Sequence, residues 1–88
     1  MSKVHELKTD PEVFQANLDG RKPYEIRFDD RGYEVGDILI LRETEFTGEE
    51  MNETGKPLVY TGRRKELDVR YILRGPIYGL AEGWVIMS

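Results

Sequence analysis

The sequence predicts an α+β domain, a small mixed β-barrel of five to six strands with one N-terminal helix packed on its side. Three observations carry that reading. Short apolar or alternating runs recur between glycine and proline punctuation. A single stretch, 9–20, carries a full set of helix start and stop signals. Many short strands in 88 residues are expected to curl so that their edges are hidden. The length predicts one domain over 1–88, with a modest core that buries about 60–65% of the unfolded surface.

The elements follow in order. "KVHEL" (3–7) reads as a strand. In "TDPEVFQANLDG", Thr9 or Asp10 caps a helix, Pro11 suits its first position and Gly20 its end. Val13, Phe14 and Leu18 share its apolar face. "PYEIRF" (23–28) alternates, which predicts Tyr24, Ile26 and Phe28 inward and Glu25 and Arg27 outward. "DRGYEVGD" is a turn-rich connector. "DILILRE" (37–43) is apolar on both faces and reads as a central strand covered twice. Residues 44–62 read as an extended acidic hairpin or mobile loop, with a strand around Leu58–Tyr60. "KELDVRYIL" (65–73) alternates, predicting Leu67, Val69, Tyr71 and Leu73 inward. "GPIYGLAEG" (75–83) is a loop, and "WVIM" (84–87) a closing strand.

Composition excludes several functions. With no cysteine and His5 as the one histidine, no disulfide, structural zinc site or other metal centre is expected, and no cofactor motif stands out. There is no apolar run of about 18 residues, so no membrane partner is expected. "MSKVHELK" lacks the apolar core of a secretory signal, which predicts a cytoplasmic protein. A net charge of −4 argues against non-specific attraction to nucleic acid. The charge is uneven, however. Residues 37–55 set six carboxylates against Arg42 alone, a balance of −5. Residues 63–74 carry +3, with Arg63, Arg64, Arg70 and Arg74 as candidate phosphate contacts. Ordinary strand-surface charge is the competing account.

The chemistry concentrates in "GRKPYEIR" (20–27). Glu25 and Arg27, two apart on a strand, share a face, and Lys22 reaches the same side from the loop before Pro23. Together they offer a carboxylate acceptor, a compact cation and a planar guanidinium fork. A carboxylate accepts from an exocyclic amine, and the cations hold phosphate oxygens or base acceptors. The simpler alternative is a surface ion pair between Glu25 and Arg27. Tyr24, Tyr33, Tyr78 and Trp84 are stacking candidates for unpaired bases. Tyr78, between glycine-bearing turns, suits that role best, and Trp84 suits core packing.

The segment resembles the signature of ASCH domains, Gly-x-Lys-x-x-Glu-x-Arg, at all four fixed positions: Gly20, Lys22, Glu25 and Arg27. "VGD" (35–37) and the strand after it are also similar. The blocks 5–43 and 71–87 resemble a small ASCH-related family of uncharacterised bacterial and phage proteins, the DUF3850-like group. The resemblance implies a PUA-like barrel and RNA binding in a cleft between barrel and first helix. It implies Gly20, Lys22, Glu25 and Arg27 at that cleft, with His5, Lys8, Asp30 and Arg31 on its border. One branch of the superfamily is similar to amidohydrolases of acylated cytidine. That branch has a lysine matching Lys22 but a threonine where this chain has Glu25.

The leading expectation is therefore a module that binds RNA or a modified nucleotide, rather than an enzyme. The alternatives are a nucleoside-directed amidohydrolase using Lys22 with Glu25 or Glu82, and a phage or host interaction module docking a protein through the acidic hairpin 44–62. No Ser-His-Asp or Cys-His set is available to catalysis.

Overall fold

The computed structural model describes residues 2–88. The elements run β1 (Val4–Thr9), α1 (Pro11–Leu18), β2 (Glu25–Phe28), β3 (Ile38–Thr44), α2 (Gly48–Thr54), β4 (Tyr60–Asp68), β5 (Ile72–Arg74) and β6 (Trp84–Met87). The strands form two three-stranded sheets, ordered β1-β3-β4 and β2-β6-β5. β1 and β3 are parallel, from Val4 opposite Ile38 to Thr9 opposite Glu43. The crossover that a parallel pair requires contains α1 and β2. β3–β4, β2–β6 and β5–β6 are antiparallel.

This arrangement overturns the barrel. The fold is α+β, but two separate sheets replace the closed cylinder, and the second helix lies mid-chain. The reason is a corner at 69–71. The run expected as one strand over 65–73 breaks there. The Val69 N–H bonds the carbonyl of Asp37, next to the first sheet. The N–H groups of Arg70 and Tyr71 both bond the carbonyl of Ser88, beside the second. The chain thus changes sheets within three residues. Val69 is buried, whereas Tyr71, expected inward, is 62% exposed.

The acidic segment is also not a hairpin. Thr47 caps α2 with a reciprocal capping box: its hydroxyl accepts from the Glu50 N–H at 3.0 Å, and the Glu50 carboxylate accepts from the Thr47 N–H at 3.1 Å. Gly55, at φ 69°, ends the helix in the left-handed conformation. The Gly48 N–H reaches the Asp10 carboxylate at 3.0 Å, so the acidic helix is tied to the start of α1. The Asp10 side chain makes no cap bond to its own helix.

The core consists of Leu7, Phe14, Tyr33, Leu39, Leu41, Val69, Val85 and Met87. β3 is the central strand of its sheet, as expected, but it is not covered twice: Leu39 and Leu41 are buried, while Ile38 and Ile40 on the other face are half-buried. On α1, Phe14 and Asn17 are buried and Leu18 is exposed. The largest reversal is β2. Glu25 is 2% exposed, while Ile26 and Phe28 are 43% and 53% exposed. Register explains it: Glu25 and Arg27 stand opposite Met87 and Val85, which are buried, so the charged alternates share the inner face of the sheet. Trp84, expected in the core, lies on the outer face and meets the Phe28 ring edge-on at 5.9 Å. Gly83 makes room beneath Phe28, since a Cβ there would stand 2.7 Å from the Phe28 Cε1.

Asp37 ties the connector to both strands of the parallel pair. Its buried carboxylate accepts the N–H groups of Lys3 and Glu34, each at 3.0 Å, and the Nε2–H of His5 at 2.9 Å. His5 in turn meets the edge of Tyr33, with ring centroids 4.8 Å apart.

Two predictions follow from the fold. The Lys3 N–H, then His5 and the Glu34 N–H, hold the Asp37 carboxyl down from its usual 3.8 to about 2 against the upward push of burial. A carboxyl lowered on folding stabilises the native state above its unfolded value and loses that contribution as pH falls toward 2, here about 2 kcal/mol. Urea unfolding from pH 7 to pH 2 should show the loss between about pH 4 and 2. Asp37→Asn should be less stable at neutral pH and flatter across that window. A methyl at Gly75 would overlap the backbone carbonyl of Ala81. Gly75→Ala should therefore lower stability by about 2 kcal/mol, visible as a fall in thermal midpoint with the spectrum of the folded state retained.

Candidate ligand-binding site

Segment 20–27 becomes a site because a carboxylate is buried in it. α1 ends at Leu18, and the chain turns through Gly20 at φ 77°, where a side chain would be strained. The Asn17 side-chain amide donates to the Lys22 carbonyl at 2.9 Å and fixes that turn. Lys22 then folds back. Its Nζ donates to the Tyr24 carbonyl at 3.0 Å and to Glu25 Oε1 at 2.9 Å. Arg27 Nε donates to Glu25 Oε2 at 3.3 Å, and its Nη2 to the Lys8 carbonyl at 2.9 Å. Both oxygens of Glu25 are thus occupied by cations, as a carboxylate withdrawn from water requires. The side chains of Lys22 and Arg27 are 16% and 29% exposed, so each keeps some access to solvent.

Two clefts share Glu25 as a wall. One, of ≈ 260 Å³, is lined by Lys8, Asp10, Val13, Lys22, Ile26 and Arg27 among others, between the first helix and β2. Its lining carries three cations, Lys8, Lys22 and Arg27, against Asp10 and Glu25. The other, of ≈ 220 Å³, is mainly apolar, with Leu39, Leu67, Val69 and Met87 alongside Asn17, Gly20 and Tyr24. Asn17 is 3% exposed, and its Oδ1 has no hydrogen-bond partner among the described residues. An orphaned buried acceptor costs about 1–3 kcal/mol.

The other sequence candidates are dispersed. Lys8 lies at the cationic cleft. Asp30 and Arg31 line a third cleft of ≈ 380 Å³, which also contains Arg27 and Trp84. Arg31 is held there by the Glu6 carbonyl at 3.0 Å. His5 is instead buried on the inner face of β1 against Asp37 and Tyr33, because β1 alternates strictly between exposed and buried positions. Tyr33 is a core residue too, and burial pushes its phenol up. Tyr78 is 89% exposed at φ 49° on the distant 75–83 loop, outside the clefts around Glu25.

The arginines of 63–74 do not form one patch. Arg63 packs on α1, bonding Gln15 at 2.9 Å with its guanidinium 5.0 Å from the Phe14 ring centre. Arg74 ties the connector, donating to Asp29 at 3.0 Å and to the Tyr33 carbonyl at 2.7 Å. Arg64 and Arg70 are exposed on β4 and at the corner after it. Burial alone would push the Asp29 carboxyl up. The N–H groups of Tyr33 and Gly32, together with Arg74, outweigh it and hold the carboxyl below its usual value.

Sequence reasoning did not single out Asn17 or the anchoring role of Asp37. A polar residue one position before the end of an amphipathic face, and an acid opening the apolar run "ILIL", are the signals that mark them.

Comparison with known proteins places the chain beside others without assigned roles. A family model described as a domain of unknown function (DUF3850) matches residues 4–88. The chain is also 49% identical over 43 residues to an uncharacterized 12.9 kDa protein in the GpA 3′ region of Escherichia phage P2. That match covers 49% of this chain and 39% of the phage protein, so the chain spans well under half the length of that relative.

Removing the central carboxylate should leave two cations facing each other. Glu25→Ala is expected to destabilise the domain by about 2 kcal/mol, below the 3–5 kcal/mol of fully buried pairs because Lys22 and Arg27 reach water. Glu25→Gln, which keeps an acceptor, should cost about half as much. Chemical denaturation at neutral pH measures both.

Proposed function

We propose that this chain, which belongs to the family described as a domain of unknown function (DUF3850), is a binding module for RNA or a nucleotide-like ligand. One observation carries the reading. The buried Glu25 carboxylate fixes Lys22 and Arg27 and separates a cationic cleft from a mainly apolar one. A nucleotide has the same two-part chemistry, an anionic phosphate and a flat ring with polar edges. Lys8, Lys22 and Arg27 suit the phosphate by charge and donor geometry. The mainly apolar cleft suits a flat ring. The resemblance of Gly20, Lys22, Glu25 and Arg27 to the ASCH signature supports the same reading through the motif and not through any barrel. The net charge of −4 favours a single nucleotide or a short strand over a long tract.

A second reading rests on the Lys22–Glu25 contact at 2.9 Å. An ammonium and a carboxylate at that distance form an acid–base pair, which suits amide hydrolysis on an acylated nucleoside. Glu25 stands where the similar amidohydrolases have a threonine, so the first reading is preferred.

An amide NMR titration with ribonucleoside monophosphates and a short single-stranded RNA tests both readings. Shifts at Gly20–Arg27, persisting at about 150 mM salt, are expected for the binding module. Arg27→Ala should weaken that binding at least tenfold with the fold retained. No shifts in this segment at about 1 mM of every probe would refute it. Release of acid from acylated cytidine, abolished in Lys22→Ala, would establish the second reading instead.

A further inference from the structure

We propose that the outer face of the β2-β6-β5 sheet is the contact between two copies of this chain. Inverting β2 to bury Glu25 puts its apolar alternates on the outside. Ile26 stands opposite Ile86, and Ile86 opposite Leu73, so three aliphatic side chains form a row across all three strands. Phe28 and Trp84 cover one end of that row. Tyr71, paired with Ser88 through both backbone hydrogen bonds, flanks the other end.

Ile26, Phe28, Tyr71 and Trp84 are each between 40% and 62% exposed. Together they show water on the order of 400 Å² of side-chain surface. That lies within the 300–600 Å² of a largest monomer patch, which is often functional. With a polar rim added, it approaches the ~800 Å² per partner of a stable interface. An aliphatic row with aromatic ends is also how an interface core is built, and two sheets stack face to face at ≈ 10 Å.

Charge selects a second copy as the occupant. Arg70 is exposed at the Tyr71 end of the face. Glu82 and Asp30, the latter 70% exposed and only loosely met by Arg31 at 3.9 Å, stand at the Phe28–Trp84 end. The face therefore carries both signs at opposite ends. A two-fold axis lying in the interface across the strands sets the Arg70 end of one copy on the acidic end of the other. Such isologous pairing is the commonest symmetry of soluble oligomers. Nucleic acid fits this face poorly, because acids stand at one end of its rim and interrupt any basic track.

Sedimentation velocity of the whole chain, from about 5 to 500 µM at about 150 mM salt, tests the proposal. The expected result is a concentration-dependent rise to twice the mass of one chain. Phe28→Ser and Tyr71→Ser, both at exposed positions, should each weaken association at least tenfold with an unchanged circular dichroism spectrum. Arg70→Glu should weaken it about threefold, and adding Glu82→Arg should restore it. A single-chain mass at every concentration overturns the proposal. So does a dimer indifferent to both Phe28→Ser and Tyr71→Ser, or a mass that rises only when RNA is added.

Discussion

A carboxylate moved from water into a protein must find cations or hydrogen-bond donors or forfeit its charge, and Glu25 finds two cations. Its two oxygens meet Lys22 and Arg27 at 2.9 and 3.3 Å while its side chain is only 3% exposed. Much of the second sheet follows from that one requirement. For Glu25 to reach the interior, β2 must present its polar alternates inward, which sends Ile26 and Phe28 out. For Lys22 to reach back, the chain must turn tightly after α1, which places Gly20 at positive φ and recruits Asn17 to hold the turn. A hydrophobic pair at positions 25 and 27 would satisfy the core more simply. Buried ion pairs are often no more stabilising than apolar replacements of the same volume. Placing this triad in a core of such modest size is therefore costly.

Asp37 provides the counterpart beside the first sheet. It collects Lys3, His5 and Glu34 around one carboxylate and so fixes where the parallel pair β1–β3 begins. Its own carbonyl then accepts the Val69 N–H, and Gly36 donates back to Val69. The corner that keeps the two sheets from joining is thus anchored beside Asp37. The two acids divide the work. Asp37 is satisfied mainly by backbone N–H groups, which serves architecture. Glu25 is satisfied by side chains that still reach water, which leaves their remaining donors available to a ligand.

Much of the local structure was legible in the residues. Pro11 and Gly20 bracket α1 closely, and the doubly apolar "ILIL" lies in the central strand β3. The failures have a common physical origin. Alternation tells which residues share a face of a strand but not which face is buried, and in "YEIRF" the usual preference for apolar side chains inside is overridden by the ion triad. The 65–73 run alternates smoothly through a corner, because the switch of backbone partners from Asp37 to Ser88 leaves no mark on side-chain periodicity. In 44–62 the capping box was readable as Thr47 followed three residues later by Glu50, but no apolar face accompanied it, and α2 buries no residue. At the site, the mutual proximity of Lys22, Glu25 and Arg27 follows from spacing and motif. The burial of Glu25, the orphaned Asn17 oxygen and the removal of His5 from the cleft depend on tertiary packing and could not be read from spacing.

The two faces of β2 connect these threads. In β2 the face of Glu25 is turned inward, while Ile26 and Phe28 on the other face are exposed. Placing the charged alternates inward creates a polar site under cover, where donors are fixed and water is partly excluded. The same choice leaves the apolar alternates outside, where they remain unsatisfied until another surface covers them. If a second copy supplies that cover, the outer contact offsets the burial cost of the inner triad, and the two features are one design.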